Sequence, residues 1–236
     1  MQLELNPAVD LDLARQQFRA HRRVQVPNFL RPESAEALAQ AHEQNRRWFL
    51  SYNEGANNVE SDMADIQRLT PAQQAQFMQA IHHRAAKGFQ YCFVQYYISE
   101  NIKRGEDPGH PLHAVERFLN SAPFLDFMRA LTDEPGIHTA DALASIYGPG
   151  HFLTDHDDSH GSRQRVAAYV LQLTRQWDRN WGGHLAFFDE QGNITDAFLP
   201  SFNTLNVFRV PQPHAVQLVA PFAQGYRRSI TGWVHR

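Results

Sequence analysis

What this chain lacks narrows its class before any motif is read. It has one cysteine, Cys92, in 236 residues. No disulfide can therefore form within the chain, and that usage fits a reducing, cytoplasmic setting. No apolar run approaches the ~18 residues that read as a membrane span, so no membrane partner is expected. The first residues, MQLELNPAVDLDLARQQF, are acidic and have no apolar core, unlike a secretory signal. Basic runs stop at pairs such as Arg22-Arg23 and the formal net charge is −3, so nucleic acid is not expected as a partner either. Repeats, low-complexity tracts and linkers are also missing, which predicts a single domain over residues 1–236. What is abundant is apolar and aromatic: 42% hydrophobic residues and 16 Phe, enough for a sizeable core.

The texture changes near residue 140. Before it, most segments read as helical support. Leu11, Ala14 and Phe18 share one helix face. Pro32 opens an Ala- and Glu-rich helix running to about Trp48. Thr70-Pro71-Ala72-Gln73 has the form of a capping box with proline at the first helical position. Ser121 precedes Phe124, Leu125, Met128 and Leu131 at helical spacing. Arg22 to Leu30 alternates like a strand, and the aromatic run Phe89 to Ile98 fits either strand or helix. The polar stretch from Ser51 through Asp65 reads as a mobile loop, of the kind that can close over a substrate.

From residue 141 onward eight β-like runs follow: Ala142–Tyr147, His151–His156, Arg165–Thr174, Gly183–Asp189, Ile194–Phe198, Thr204–Val210, His214–Ala220 and Arg227–Val234. Eight short, closely spaced strands predict a sandwich or barrel, and a jelly roll has that number. The expected fold is α+β with a mainly β core, buttressed on one side by the N-terminal helices.

The stretch TDHDDSHG, from Thr154, concentrates charge that must be solvated or bind a cation. His156 and Asp158 are two apart, so an extended chain presents both to the same face. One imidazole and one carboxylate can then share a metal, while Asp155 and Asp157 point away, to water or to Arg163 and Arg165. With 13 His in the chain, the pair alone proves little. His214 opens another strand, and two His with one carboxylate form the facial triad of non-haem Fe(II) oxygenases, which leaves coordination positions open. The next strand begins at Arg227. Parity puts Arg227, Ser229, Thr231 and Trp233 on one face, with Arg228, Ile230 and Val234 on the other. A guanidinium near the metal suits a dicarboxylate. Parity alone leaves Arg227 and Arg228 both open, with the polar face the better cavity lining.

Together, His156-x-Asp158, the block Trp177-Asp178-Arg179-Asn180-Trp181-Gly182-Gly183-His184-Leu185, His214, and Arg227-x-x-Ile230-x-Gly232-Trp233 resemble the 2-oxoglutarate/Fe(II)-dependent dioxygenases, in their prolyl hydroxylase-like branch. Val24 to Leu30 followed by a helix also resembles how these enzymes begin. The resemblance implies a double-stranded β-helix, jelly roll and cupin-like. It implies His156, Asp158 and His214 as metal ligands, and Arg227 as the residue that binds the distal carboxylate of 2-oxoglutarate. Tyr147, in Ile146-Tyr147-Gly148-Pro149-Gly150, matches a tyrosine lining that pocket. Where many prolyl hydroxylases add a second tyrosine, alignment through the Trp-Gly-Gly block puts Gln172, not Tyr169.

The implied cofactors are Fe(II), 2-oxoglutarate and O2, with ascorbate as an auxiliary. The implied reaction hydroxylates an unactivated C–H bond and yields succinate and CO2. The substrate is expected to be a prolyl residue of a protein or peptide, or alternatively a free amino acid or other small molecule. A non-catalytic binding module is the third alternative. A carboxylate at position 158 argues against a halogenating relative. His151, His160, His184 and the pair His82-His83 are expected to be structural or solvated. Trp181 and Trp233 suit either core or pocket.

Overall fold

A computed structural model describes residues 1–159 and 164–236; His160 and Arg163, weighed above, lie outside them. All eight β-like runs are strands: β6 (Leu143–Tyr147), β7 (Phe152–His156), β8 (Arg165–Gln172), β9 (Leu185–Phe188), β10 (Ile194–Phe198), β11 (Thr204–Arg209), β12 (His214–Val216) and β13 (Arg227–His235). The first part of the chain adds β1 (Arg23–Pro27), β2 (Phe49–Glu54), β3 (Asn57–Asp62), β4 (Tyr91–Tyr96) and β5 (Thr139–Ala140). Every pairing is antiparallel. The strand order is β1-β11-β8-β13-β6-β4-β7-β12-β9-β10, with β2 on β4, β3 on β2 and β5 on β13. This is a jelly roll: β6, β8, β11 and β13 form one wall and β7, β9, β10 and β12 the other.

Alternation along the strands divides the core. Tyr169 and Leu171 of β8, with Ile230 and Val234 of β13, pack outward in one buried cluster with Phe18, Leu38, Phe124, Met128 and Leu131. Those partners come from α1 (Leu11–His21), α2 (Pro32–Gln44) and α7 (Ala122–Thr132). Burying a ring such as Phe124 contributes ~1.5–3 kcal/mol. Ala168 and Val170, one residue out of phase, pack inside the barrel with Leu185, Phe187 and Phe208. Gly232 is forced by close approach, since a Cβ there would lie 2.0 Å from the Asp141 carbonyl oxygen. The seam between the terminal strands β1 and β10 is bridged by a side chain: Arg23 Nε pairs with Asp196 at 2.6 Å, and Arg23 Nη2 donates to Thr195 Oγ1.

The aromatic run, open between strand and helix, resolves as β4 over Tyr91–Tyr96, which bridges β6 and β7, while Ile98 already opens a helix. Two expectations need correction. The polar segment after Ser51 is a paired β2–β3 hairpin rather than a loop, turning at Gly55 (φ 63°). Only one of its faces is apolar, where Leu50 and Tyr52 meet Ile81 of α4 (Pro71–Ala85), with Val59 alongside. The Pro32 helix stops at Gln44, and the Trp48 indole donates to the Asn45 carbonyl at 3.0 Å beyond it. The Thr70 capping box at the start of α4 is present as expected, with both reciprocal bonds formed.

Candidate active site

β7 and β12 pair so that His156 faces His214. The strand ends at His156, Asp157 turns outward, and Asp158 takes a left-handed conformation (φ 62°) that aspartate tolerates better than most residues. That turn brings its carboxylate back between the imidazoles: His156 Nε2 lies 3.4 Å from Oδ1 and His214 Nε2 lies 3.5 Å from Oδ2. One ligand atom from each of the three lies within 4.8 Å of the others. Both imidazoles are oriented from behind, with Nδ1 of His156 donating to the Thr154 carbonyl (3.0 Å) and Nδ1 of His214 to the Gln212 carbonyl (2.8 Å). With each Nδ1 committed to a carbonyl, the Nε2 atoms are the ones turned toward the carboxylate, and once deprotonated they could ligate a divalent metal.

The electrostatics agree. Burial, then the charge of His156, pushes His214 down to about 4, so it is neutral and able to ligate. Burial works against the charge on Asp158, but its contact with the His156 imidazole outweighs it and holds its pKa below normal. His156 shows the converse: burial lowers it, yet the Asp158 hydrogen bond and charge prevail and raise it.

The triad opens into a cavity of about 700 Å³ that also reaches Tyr147, Arg227, Ser229 and Trp233. The strand parity read from the sequence therefore holds: Arg227 faces the cavity, and Arg228 lies on the outer face. Arg227 is 1% exposed, with its guanidinium 5.0 Å above the Tyr147 ring. Its Nε and Nη2 have no hydrogen-bond partner among the described residues. A buried cation without an anion is costly, so this guanidinium fits an incoming carboxylate. Gln172 lies opposite Ser229 and is fully buried, and neither amide atom has a partner. Tyr169 faces the helices, where its hydroxyl donates to the Asp141 carbonyl at 2.6 Å. Arg227 and Gln172 are thus among the residues with orphaned buried polar atoms, and theirs are of the chemistry a dicarboxylate would satisfy.

Two contributors escaped the sequence reading. Arg165, expected near Asp155 or Asp157, donates instead from Nη1 to the Asp158 carbonyl (3.0 Å), and its guanidinium lies 3.6 Å above Trp233. It thereby supports the left-handed turn. Phe89 is exposed and packs 5.7 Å from the His156 ring; the aromatic run was its only signal. Trp233 lines the cavity, whereas Trp181 packs edge-on against Trp177 at 5.2 Å. His151 accepts from the Gly148 amide and His82 bonds the Gly150 carbonyl, both structural roles. His184 is half-buried and apart from the triad.

A jelly roll with this triad at its mouth and a buried arginine inside can hold a divalent metal and an acidic ligand side by side. Residues 142–235 match the family model of the 2OG-Fe(II) oxygenase superfamily. Mouse prolyl 3-hydroxylase OGFOD1 is 28% identical over 146 residues, 58% of this chain but 25% of that protein, so the chain spans about a quarter of the relative's length. The fold is shared with a Pseudomonas putida prolyl-4-hydroxylase (TM-score 0.60, 22% identity, 96% of this chain and 98% of that one). It is shared too with a Trichoplax adhaerens prolyl hydroxylase solved with a hypoxia-inducible-factor peptide (TM-score 0.62, 16% identity, 95% and 88%). The chain is thus similar, over part of its length, to prolyl hydroxylases of that superfamily. No helix among the described residues is long and apolar enough to cross a membrane.

Proposed function

We propose that the protein hydroxylates an unactivated C–H bond of a prolyl residue in a protein or peptide, with succinate and CO2 as co-products. The observation that carries this reading is the shared cavity. A His156/Asp158/His214 triad and an unpartnered buried Arg227 open into the same space. In this reading the triad holds Fe(II), and Arg227 with Gln172 holds the distal carboxylate of 2-oxoglutarate. Bound iron, co-substrate and O2 together supply the oxidising chemistry. Tyr147 supports the Arg227 guanidinium through its ring face and, pushed up by burial, stays protonated. The backbone carbonyls of Thr154 and Gln212 keep each imidazole in the tautomer that ligates. Phe89, Trp233 and Phe208 form apolar walls that exclude water and suit a pyrrolidine ring. The same reading takes residues 1–236 as one oxygenase domain, since β4 from the first part of the chain joins β6 to β7.

A second reading, a free amino acid or other small molecule as substrate, is favoured by the cavity volume of about 700 Å³, within the range of small-ligand sites. The test is succinate formation from 2-oxoglutarate, followed by NMR with Fe(II), ascorbate and O2. The expected result is turnover in wild type and none in Asp158→Ala. Absence of both turnover and co-substrate binding in wild type sinks the reading. Peptides and metabolites are then compared by how far each accelerates turnover.

A further inference from the structure

The cavity extends past the triad to the β2–β3 hairpin, where one carboxylate is unaccounted for. Four acidic residues line the cavity: Glu60, Glu100, Asp141 and Asp158. Asp158 is in the triad. Asp141 accepts from the Trp233 amide and pairs with His235. Glu100 pairs with Lys103 at 3.0 Å. Among the described residues Glu60 pairs with no lysine or arginine, unlike Glu4, Glu36, Glu43, Glu100, Glu106 and Glu134. Arg104, on the same cavity wall, forms no ion pair among the described residues. Glu60 is exposed and accepts from the buried Gln95 amide at 3.3 Å, with the Tyr97 phenol also in hydrogen-bonding reach.

Its surroundings are aromatic. Glu60 lies opposite Ser51, and Ser51 lies opposite Phe93 on β4. Tyr91, Phe93, Gln95 and Tyr97 alternate toward the cavity. Both tyrosines line the cavity with Glu60, and their phenols are pushed up, by burial first, with the Glu60 charge adding to each. The rings continue to the triad: Phe93 to Tyr91 is 5.5 Å, Tyr91 to Phe89 is 5.9 Å, and Phe89 to His156 is 5.7 Å. A carboxylate flanked by tyrosine rings suits an ammonium or guanidinium group, which gains ion pairing and cation–π attraction together.

We propose that Glu60, flanked by Tyr91 and Tyr97, is a subsite for a lysine or arginine side chain of the polypeptide substrate, occupied while the target residue lies at the triad. This rests on the oxygenase reading above and narrows its substrate to basic segments.

The test uses the full chain loaded with Mn(II), which does not support turnover, and 2-oxoglutarate. The probe is an array of proline peptides in a glycine–serine background, each with one Lys, Arg, Gln or Glu at one of about five positions on either side. Lys and Arg peptides at one or two positions bind about tenfold more tightly than their Gln counterparts, and the difference shrinks as salt is raised. Glu60→Gln removes the difference and Glu60→Lys turns it toward Glu, with melting curves by circular dichroism showing both variants folded. A wild type indifferent to basic residues, or a preference that survives in Glu60→Gln, overturns the subsite. Binding of 2-oxoglutarate by the same protein separates the two readings. If it binds but no basic preference is seen, the subsite alone falls; if it does not bind, the oxygenase reading falls and takes the subsite with it.

Discussion

Asp158 holds a left-handed backbone with Arg165 bonded to its carbonyl, so both its side chain and its support can be tested. Asp158→Ala is expected to weaken Mn(II) binding by more than about 100-fold, and Arg165→Met by about tenfold, the range for lost supporting contacts; Mn(II) electron paramagnetic resonance reads both. Calorimetry with 2-oxoglutarate tests the other end of the site. Arg227→Ala costs about 100-fold or more, Gln172→Ala about tenfold, and Arg228→Ala nothing. An effect confined to Arg228 would reverse the assignment. His156 and Asp158 were legible from their residue types and spacing, although a left-handed turn at Asp158, and not extended chain, brings the carboxylate back. Arg165 was not, because its contact depends on a turn whose direction a positive φ sets, and sequence spacing does not encode that.

Elements were legible where one physical signal dominated. The α4 capping box and the Phe124/Met128/Leu131 stripe of α7 are local patterns, and both helices form where expected. The β2–β3 hairpin was hidden because β3 offers only Val59 to an apolar neighbour, so its pairing comes from backbone bonds and from β4. In α2, burial first and the charge of Arg228 second push His42 down to about 3. The unfolded chain takes up a proton near the ordinary value of ~6.5 while the folded chain does not. The stability due to this group is therefore intact above that pH and lost progressively as pH falls toward 3. His42→Leu should lose about 2 kcal/mol less than wild type between pH 7 and pH 5 in urea unfolding. Equal losses would show that His42 is not the titrating group. For β13, Gly232→Ala drives a methyl into the Asp141 carbonyl and should abolish soluble expression, whereas Thr231→Ala should not.

At the scale of the molecule, the eight-strand count and the chemistry of its mouth were readable, because jelly-roll strands are short and punctuated by turn residues. The division into helical support and β core was too sharp. β4 comes from the first part of the chain yet bridges the two walls, and no composition signal announces a long-range pairing. A fragment of residues 141–236 would lack β1, β4 and the helices that cover Tyr169, Leu171 and Ile230. It is expected to be insoluble or to lack cooperative melting by circular dichroism, and a well-folded fragment would contradict this account.

The bridge from Arg23 to Asp196 and Thr195 gives the barrel a further property. β1 and β10 end the strand order without pairing to each other, and unpaired edges are templates on which other chains can add strands. The bridge puts a half-buried charge and its partners where such a strand would have to dock, and any newcomer must strip them apart before its first backbone bond forms. The arginine that fastens the seam is thus also a guard against self-assembly into fibres.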